Sequence, residues 1–249
     1  MKCILAKSSK QFGIVAVLAC LIAVPTVLAV PQVQTVGNYG PYQTGSGGEF
    51  TLQALGNTVV TADLAFYSPL AMNQYASATP NFQTFCVEGN EYIYPNTLYD
   101  VTLGQKTVYG NTVLTVGAAY LYYEFATGGF NGIGGLPVYN YGAGRSTSAD
   151  QLQKAIWWLM GQEGQVYNAA NPYELLVDNK YGAAAFTANN SSIPVSVLNL
   201  WVPGADYTEA GARQDQLILT GRVPDGGLTV LMLGMSFVGL SALRRRTQK

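Results

Sequence analysis

Along residues 49–55, 59–67, 82–88 and 98–103, apolar and polar side chains alternate, with Thr, Val, Phe and Tyr prominent and Gly, Asn and Pro between the runs. Alternation of this period, built from β-branched and aromatic residues, predicts four short strands. From Val113 to Ala126 the period lengthens. Val116, Ala119, Tyr120 and Tyr123 fall at helical spacing, with a further apolar step to Phe125, and predict a helix. Residues 127–144, rich in Gly and Asn, predict a loop. Ser148-Ala149-Asp150-Gln151 has the form of a capping box, and predicts a helix running from there to about Gln162. Asn171-Pro172-Tyr173-Glu174 predicts a second short helix, with Pro172 tolerated in its first turn. Residues 195–202 and 216–220 read as strands again, and the Gly- and Tyr-rich stretch 36–48 as an irregular lead-in. Strands, then helices, then strands predict a single α+β domain over 30–222, a mostly antiparallel β framework with inserted helices.

The two ends have a different character. Lys2, Lys7 and Lys10 precede an apolar run over 13–24, and Val27-Leu28-Ala29 places small residues where a signal peptidase cuts. This predicts a signal peptide over 1–29 cleaved after Ala29, the alternative being a retained membrane anchor, for which the run is short. At the other end Val223-Pro224-Asp225-Gly226-Gly227 is followed by an apolar run over 228–243 and then Arg244-Arg245-Arg246. The arginines would stay on the cytoplasmic side of a short transmembrane helix, leaving the body outside. Residues 223–249 resemble the PEP-CTERM sorting tail in its Val-Pro-Asp form. The resemblance implies transient anchoring in the inner membrane and processing by an exosortase-like transpeptidase; the alternative is a plain C-terminal anchor. Both readings deliver the body to the bacterial cell surface or extracellular matrix.

Composition narrows the chemistry. The chain has no histidine, which excludes a Ser-His-Asp triad, a Cys-His nucleophile, an imidazole base and a His-ligated zinc. Seven of the 13 basic residues lie in the two ends, so 30–224 holds six bases against 13 acids, a net charge of −7. A body this acidic has no footprint for nucleic acid. No cofactor motif or EF-hand-like spacing appears, and Gly132-Ile133-Gly134-Gly135 lacks the strand–turn–helix context of a phosphate cradle.

Cys3 and Cys20 leave with the signal, and Cys86 is the single cysteine of the body, within Phe85-Cys86-Val87-Glu88 on an expected strand. Taken alone it reads as a small buried hydrophobe. On the expected second helix, Ile156, Trp157 and Met160 lie three, four and seven residues after Gln153, which puts Gln153 at the end of an apolar stripe. A carboxamide there must be hydrogen-bonded, and taken alone it reads as a structural glutamine bound to nearby backbone.

Together, the aromatic-Cys dipeptide and the downstream Leu152-Gln153-Lys154-Ala155-Ile156-Trp157 resemble the thioester domains of bacterial surface adhesins. The resemblance implies an internal thioester between Cys86 and Gln153, shielded by Phe85, Trp157 and Trp158. Such a bond captures an amine on a surface or matrix partner in a single turnover, so the protein is not an enzyme. The adhesins of this type are stalked, multidomain proteins of Gram-positive walls, whereas this sequence predicts neither stalk nor second domain.

Two other classes compete. One is a non-covalent structural or exopolysaccharide-associated matrix protein, which the 17 tyrosines suit. The other is a hydrolase using paired carboxylates, but nothing in the spacing of Glu88, Glu91, Glu124, Asp150, Glu163 and Glu174 selects a pair. Glu88 and Glu91 read as solvated residues beside Cys86, either of which could position the thiol.

Overall fold

A computed structural model describes residues 30–37, 42–44, 47–55, 67–71, 81–162 and 164–220. The expected signal segment 1–29, the sorting tail 223–249 and most of the expected strand 59–67 lie outside them; Tyr67 itself is not in a strand.

Six strands form one sheet: β1 (Gln32–Thr35), β4 (Phe50–Leu55), β5 (Asn81–Thr84), β6 (Leu98–Gly104), β7 (Val195–Trp201) and β8 (Ala212–Leu219). Their order is β5-β4-β1-β6-β7-β8, and every neighbouring pair is antiparallel. The two outer strands meet beyond Thr84. Leu217 donates its amide to the Phe85 carbonyl at 3.0 Å and Val87 donates to Asp215 at 2.9 Å, so Cys86 faces Gln216 across a seam that closes the sheet on itself. Every residue of β7 is buried, as in strands covered on both faces.

The helices lie between β6 and β7 in the chain. Helix α1 (Val116–Thr127) starts at Thr115, whose hydroxyl accepts from the Ala118 amide at 3.3 Å. It stops at Gly128, whose φ of 77° suits a residue without a Cβ. Tyr122 and Phe125 enter the core from α1, which packs against β7 and β8. Helix α2 (Arg145–Leu159) follows, then α3 (Pro172–Tyr181), capped by Asn171 with Pro172 in its first turn as expected, and the single turn α4 (Ala184–Thr187). A small antiparallel hairpin, β2 (Gln43–Thr44) with β3 (Gly47–Gly48), packs against α2.

The α+β architecture with a mostly antiparallel sheet agrees with the sequence reading, and four local expectations are corrected. The capping box at Ser148 does not open α2, which begins one turn earlier at Arg145; the Ser148 hydroxyl instead accepts from the Asn140 amide at 3.1 Å. The helix ends at Leu159 rather than near Gln162. Cys86 lies just past β5, held by the seam. The stretch expected to be wholly irregular contains the β2–β3 hairpin.

Among the described residues no helix is long and apolar enough to cross a membrane. The apolar run 228–243 is not among them.

Candidate functional site: a buried thiol against a carboxamide

The seam determines what surrounds Cys86. In an antiparallel pair without mutual hydrogen bonds, each residue turns its own N–H and C=O away from its partner. At Cys86 those groups turn away from Gln216 and meet the side chain of Gln153. The Cys86 amide donates to Gln153 Oε1 at 3.2 Å, and Gln153 Nε2 donates to the Cys86 carbonyl at 2.8 Å. A primary carboxamide offers one acceptor and one donor side by side, so it satisfies both backbone groups as a neighbouring strand would. This geometry also fixes the thiol, which donates to the same Oε1 at 3.2 Å. A C=O bond is about 1.23 Å long, so Sγ is within about 4.4 Å of the carbonyl carbon. Neither side chain reaches solvent: Cys86 is 0% and Gln153 1% exposed.

Burial pushes the Cys86 thiol up, and the nearby Glu88 carboxyl pushes the same way. The thiol therefore stays protonated at neutral pH. The larger of two opposing influences comes from the Trp157 side chain, one turn beyond Gln153 on α2, and the smaller from the Cys86 backbone. Its indole Nε1–H is buried and has no hydrogen-bond partner.

Three ties hold this arrangement. The first runs from the residue before β4 to the first residue of α2: Arg145 Nε and Nη2 each donate to a separate oxygen of Glu49 at 2.7 Å. Tyr139 also donates its hydroxyl to Glu49, and the guanidinium reaches the Leu70 carbonyl at 3.1 Å and lies over the Tyr42 ring. Both charges are buried. This pair joins the β2–β3 hairpin to α2 and lays Gly47 directly on the site. A Cβ on Gly47 would stand 2.7 Å from Gln153 Cγ and from Trp157 Cη2, closer than real atoms approach. The second tie follows the cysteine, where the Gly89 amide donates to Gln162 Oε1 at 2.9 Å, just past the end of α2.

The third is a buried carboxyl pair on the seam. Glu88 was expected to be solvated, but it is 2% exposed and accepts from the Asp215 amide at 2.9 Å. Gln214 Nε2 holds its carbonyl at 2.9 Å. Asp215 accepts from Val108 N at 2.7 Å, Asn199 Nδ2 at 3.0 Å and Leu200 N at 3.3 Å. Desolvation raises both acids, Glu88 to about 8 and Asp215 to about 7. The closing of the two outer strands is what buries Glu88, and an alternation pattern carries no information about that closure. Glu91 is half-buried.

Of the three aromatic residues expected around the thiol, Trp157 lies beside it. Phe85 points into the core against Phe125, with ring centroids 5.0 Å apart. Trp158 packs against Tyr167 and Phe186, the two rings lying 5.2 and 5.8 Å away. The other candidate acids scatter. Asp150 pairs with Lys154 at the surface, Glu174 caps Asn168 and Asn171, and Glu163 lies outside the described residues. Val223, Pro224, Asp225, Gly226, Gly227, Arg244, Arg245 and Arg246 also lie outside them. Among the described residues no group of three or more Cys, Asp or Glu side chains gathers to hold a metal ion.

Sequence reasoning missed Glu49, Arg145, Tyr139, Gly47 and Asp215. Arg145 had a usable signal: stepping back seven residues from Leu152 along the apolar stripe reaches this lone cation, and a charge on a buried stripe requires a buried partner. Compared with family models, with curated proteins and with solved structures, the chain has no match in any of the three.

Proposed function

We propose that this chain is an exported bacterial surface or matrix protein that captures an amine-bearing partner covalently through a thioester between Cys86 and Gln153. In this reading residues 1–29 direct export. Residues 223–249 hold the body at the inner membrane until an exosortase-like transpeptidase acts on Val223-Pro224-Asp225-Gly226-Gly227, with Arg244, Arg245 and Arg246 as the cytoplasmic stop. The observation that carries the proposal is the 3.2 Å approach of the buried Cys86 Sγ to the carbonyl oxygen of the equally buried Gln153.

The chemistry follows from the groups in contact. Cys86 Sγ attacks the Gln153 carbonyl carbon, forming a C–S bond. Charge builds on Oε1, where the Cys86 amide already donates and stabilises it as an oxyanion hole does. The C–N bond then breaks, the thiol proton ends on the departing nitrogen, and ammonia leaves. The acyl group is stored in a site from which the hairpin and Trp157 exclude water. A primary amine on a partner, such as a lysine side chain, attacks the same carbon, forms an amide to Gln153 and returns Cys86 as a free thiol. Cys86 is spent once per molecule, so this is capture and not catalysis. A thiol-directed reagent should leave Cys86 unlabelled in the exported protein under denaturing, amine-free conditions, and label it after methylamine treatment. Equal labelling before and after would contradict the proposal.

A second reading draws on the same contacts. Because the Gln153 carboxamide satisfies both backbone groups of Cys86, the pair also works as a purely structural bracket. The protein would then be a non-covalent matrix component, meeting exopolysaccharide through exposed Tyr92, Tyr94, Tyr109 and Tyr207. Retention of polysaccharide by Cys86→Ala at the wild-type level would favour it.

A further inference from the structure

The proposed thioester leaves one group beside the thiol without a task, the indole N–H of Trp157. It is the sort of group folding seldom leaves unpaired, a buried donor with no acceptor, on a side chain only 7% exposed. The indole is held in place on several sides. It shares a helix face with Gln153, the two residues being one turn apart on α2. Gly47 of the hairpin abuts its Cη2 edge, and Gly89, three residues past the cysteine, lies near its Cε2. The Trp157 side chain also acts on Cys86 in the direction that favours the anion, against the much larger effect of burial.

We propose that Trp157 takes a direct part in the capture reaction, its Nε1–H donating to Cys86 sulfur as negative charge develops there. This rests on the thioester reading above. Sulfur becomes anionic twice in that cycle: when the thiol gives up its proton to attack Gln153, and when the incoming amine expels it. In the resting thiol the demand for a donor is weak, and the indole acts on the sulfur without reaching the geometry of a full hydrogen bond. In the transition state of expulsion the demand is strong, and the donor is already placed and needs no solvent to reorganise. The Cys86 amide serves the oxygen and the Trp157 indole serves the sulfur, so each atom that gains charge has its own donor.

The test uses the exported full chain, with methylamine as the probe and mass as the readout of both thioester content and capture. Trp157→Phe keeps an apolar ring and removes the donor. Trp157→His is a poorer apolar shield but keeps a ring N–H, and in a chain with no other histidine its titration is read directly. A lost hydrogen bond to a charged group predicts methylamine capture about tenfold to a hundredfold slower in Trp157→Phe. Trp157→His should be faster than Trp157→Phe at a pH where its imidazole is neutral. In a Gln153→Ala background, alkylation of Cys86 should need a higher pH when Trp157→Phe is added. A role in shielding alone predicts methylamine capture at least as fast as wild type in Trp157→Phe, because a thinner shield admits the amine, and no change in the alkylation profile, and either result would overturn the inference. A wild-type protein at full mass would instead overturn the thioester reading, and Trp157's role with it.

Discussion

At the scale of single residues, the site depends on what Gln153 offers that no other side chain does. Its Nε2 donates to the Cys86 carbonyl and its Oε1 accepts from the Cys86 amide and thiol. Gln153→Glu conserves size but replaces the donor with a second acceptor, placing two oxygens against a buried carbonyl. We expect a loss of about 1–3 kcal/mol in denaturant-induced unfolding, together with loss of any ammonia-deficient species in the mass spectrum. Glu88 gives a second prediction. Its carboxyl titrates near 4.5 when unfolded and is raised to about 8 by burial, and Asp215 moves from 3.8 to about 7. The folded state therefore holds protons that the unfolded chain releases, so stability falls as pH rises from about 5 to about 8. Glu88→Gln should flatten the fall in melting temperature across that window; an unchanged slope would mean that Glu88 is ionised throughout. Cys86 and Gln153 were legible in the sequence because each broke a local rule, a lone thiol between the expected signal segment and the sorting tail and a polar residue on an apolar stripe. Glu88 was not, because its burial comes from a strand more than 120 residues away in the chain.

At the scale of elements, the hairpin, α2 and the Cys86 segment form one assembly, pinned by a buried ion pair. Arg145→Met removes one partner and leaves the Glu49 carboxylate in the core, which typically costs about 3–5 kcal/mol. Because the same pair holds the hairpin on α2, we expect Arg145→Met to speed hydrolysis of the proposed thioester, read as faster appearance of free thiol at Cys86. Gly47→Ala tests the same contact from the other side. With Gln153 Cγ and Trp157 Cη2 both 2.7 Å from the new methyl, the hairpin must lift. Hydrogen exchange at the amides of Gly47 and Gly48 should accelerate while that of β6 and β7 stays the same. Most of these elements could be read from the sequence: β4, β6, β7, α1 and α3 follow from alternation, helical spacing and the Asn-Pro start. The first turn of α2 was harder to read, because Arg145-Ser146-Thr147-Ser148 holds no apolar residue and only the charge of Arg145 marks it; the Glu49 carboxylate, 96 residues away in the chain, fixes its first residue. Strand β1 was missed for a related reason. Four residues, Gln-Val-Gln-Thr, alternate too briefly to stand out, and they are ordered by pairing with both β4 and β6.

At the scale of the whole molecule, the sheet and the chemistry are one design. A six-stranded antiparallel sheet has two outer edges, and open edges must be covered or paired. Here they pair with each other, and the residue at the junction is Cys86, whose unpaired backbone groups call for a side chain like that of Gln153. The β framework thus builds a dry pocket at its own closure, and the inserted helices supply the partner that fills it. In the proposed reaction, with no histidine available, activation falls to backbone and indole donors, which suits a single capture event. The measurement that bears most directly on this account is the intact mass of the purified protein beside its Cys86→Ala and Gln153→Ala variants. The account predicts a wild-type mass short by one ammonia, with both variants at the full mass of their sequences. A wild-type protein at full mass with a titratable Cys86 would contradict it and leave the pair as a structural bracket.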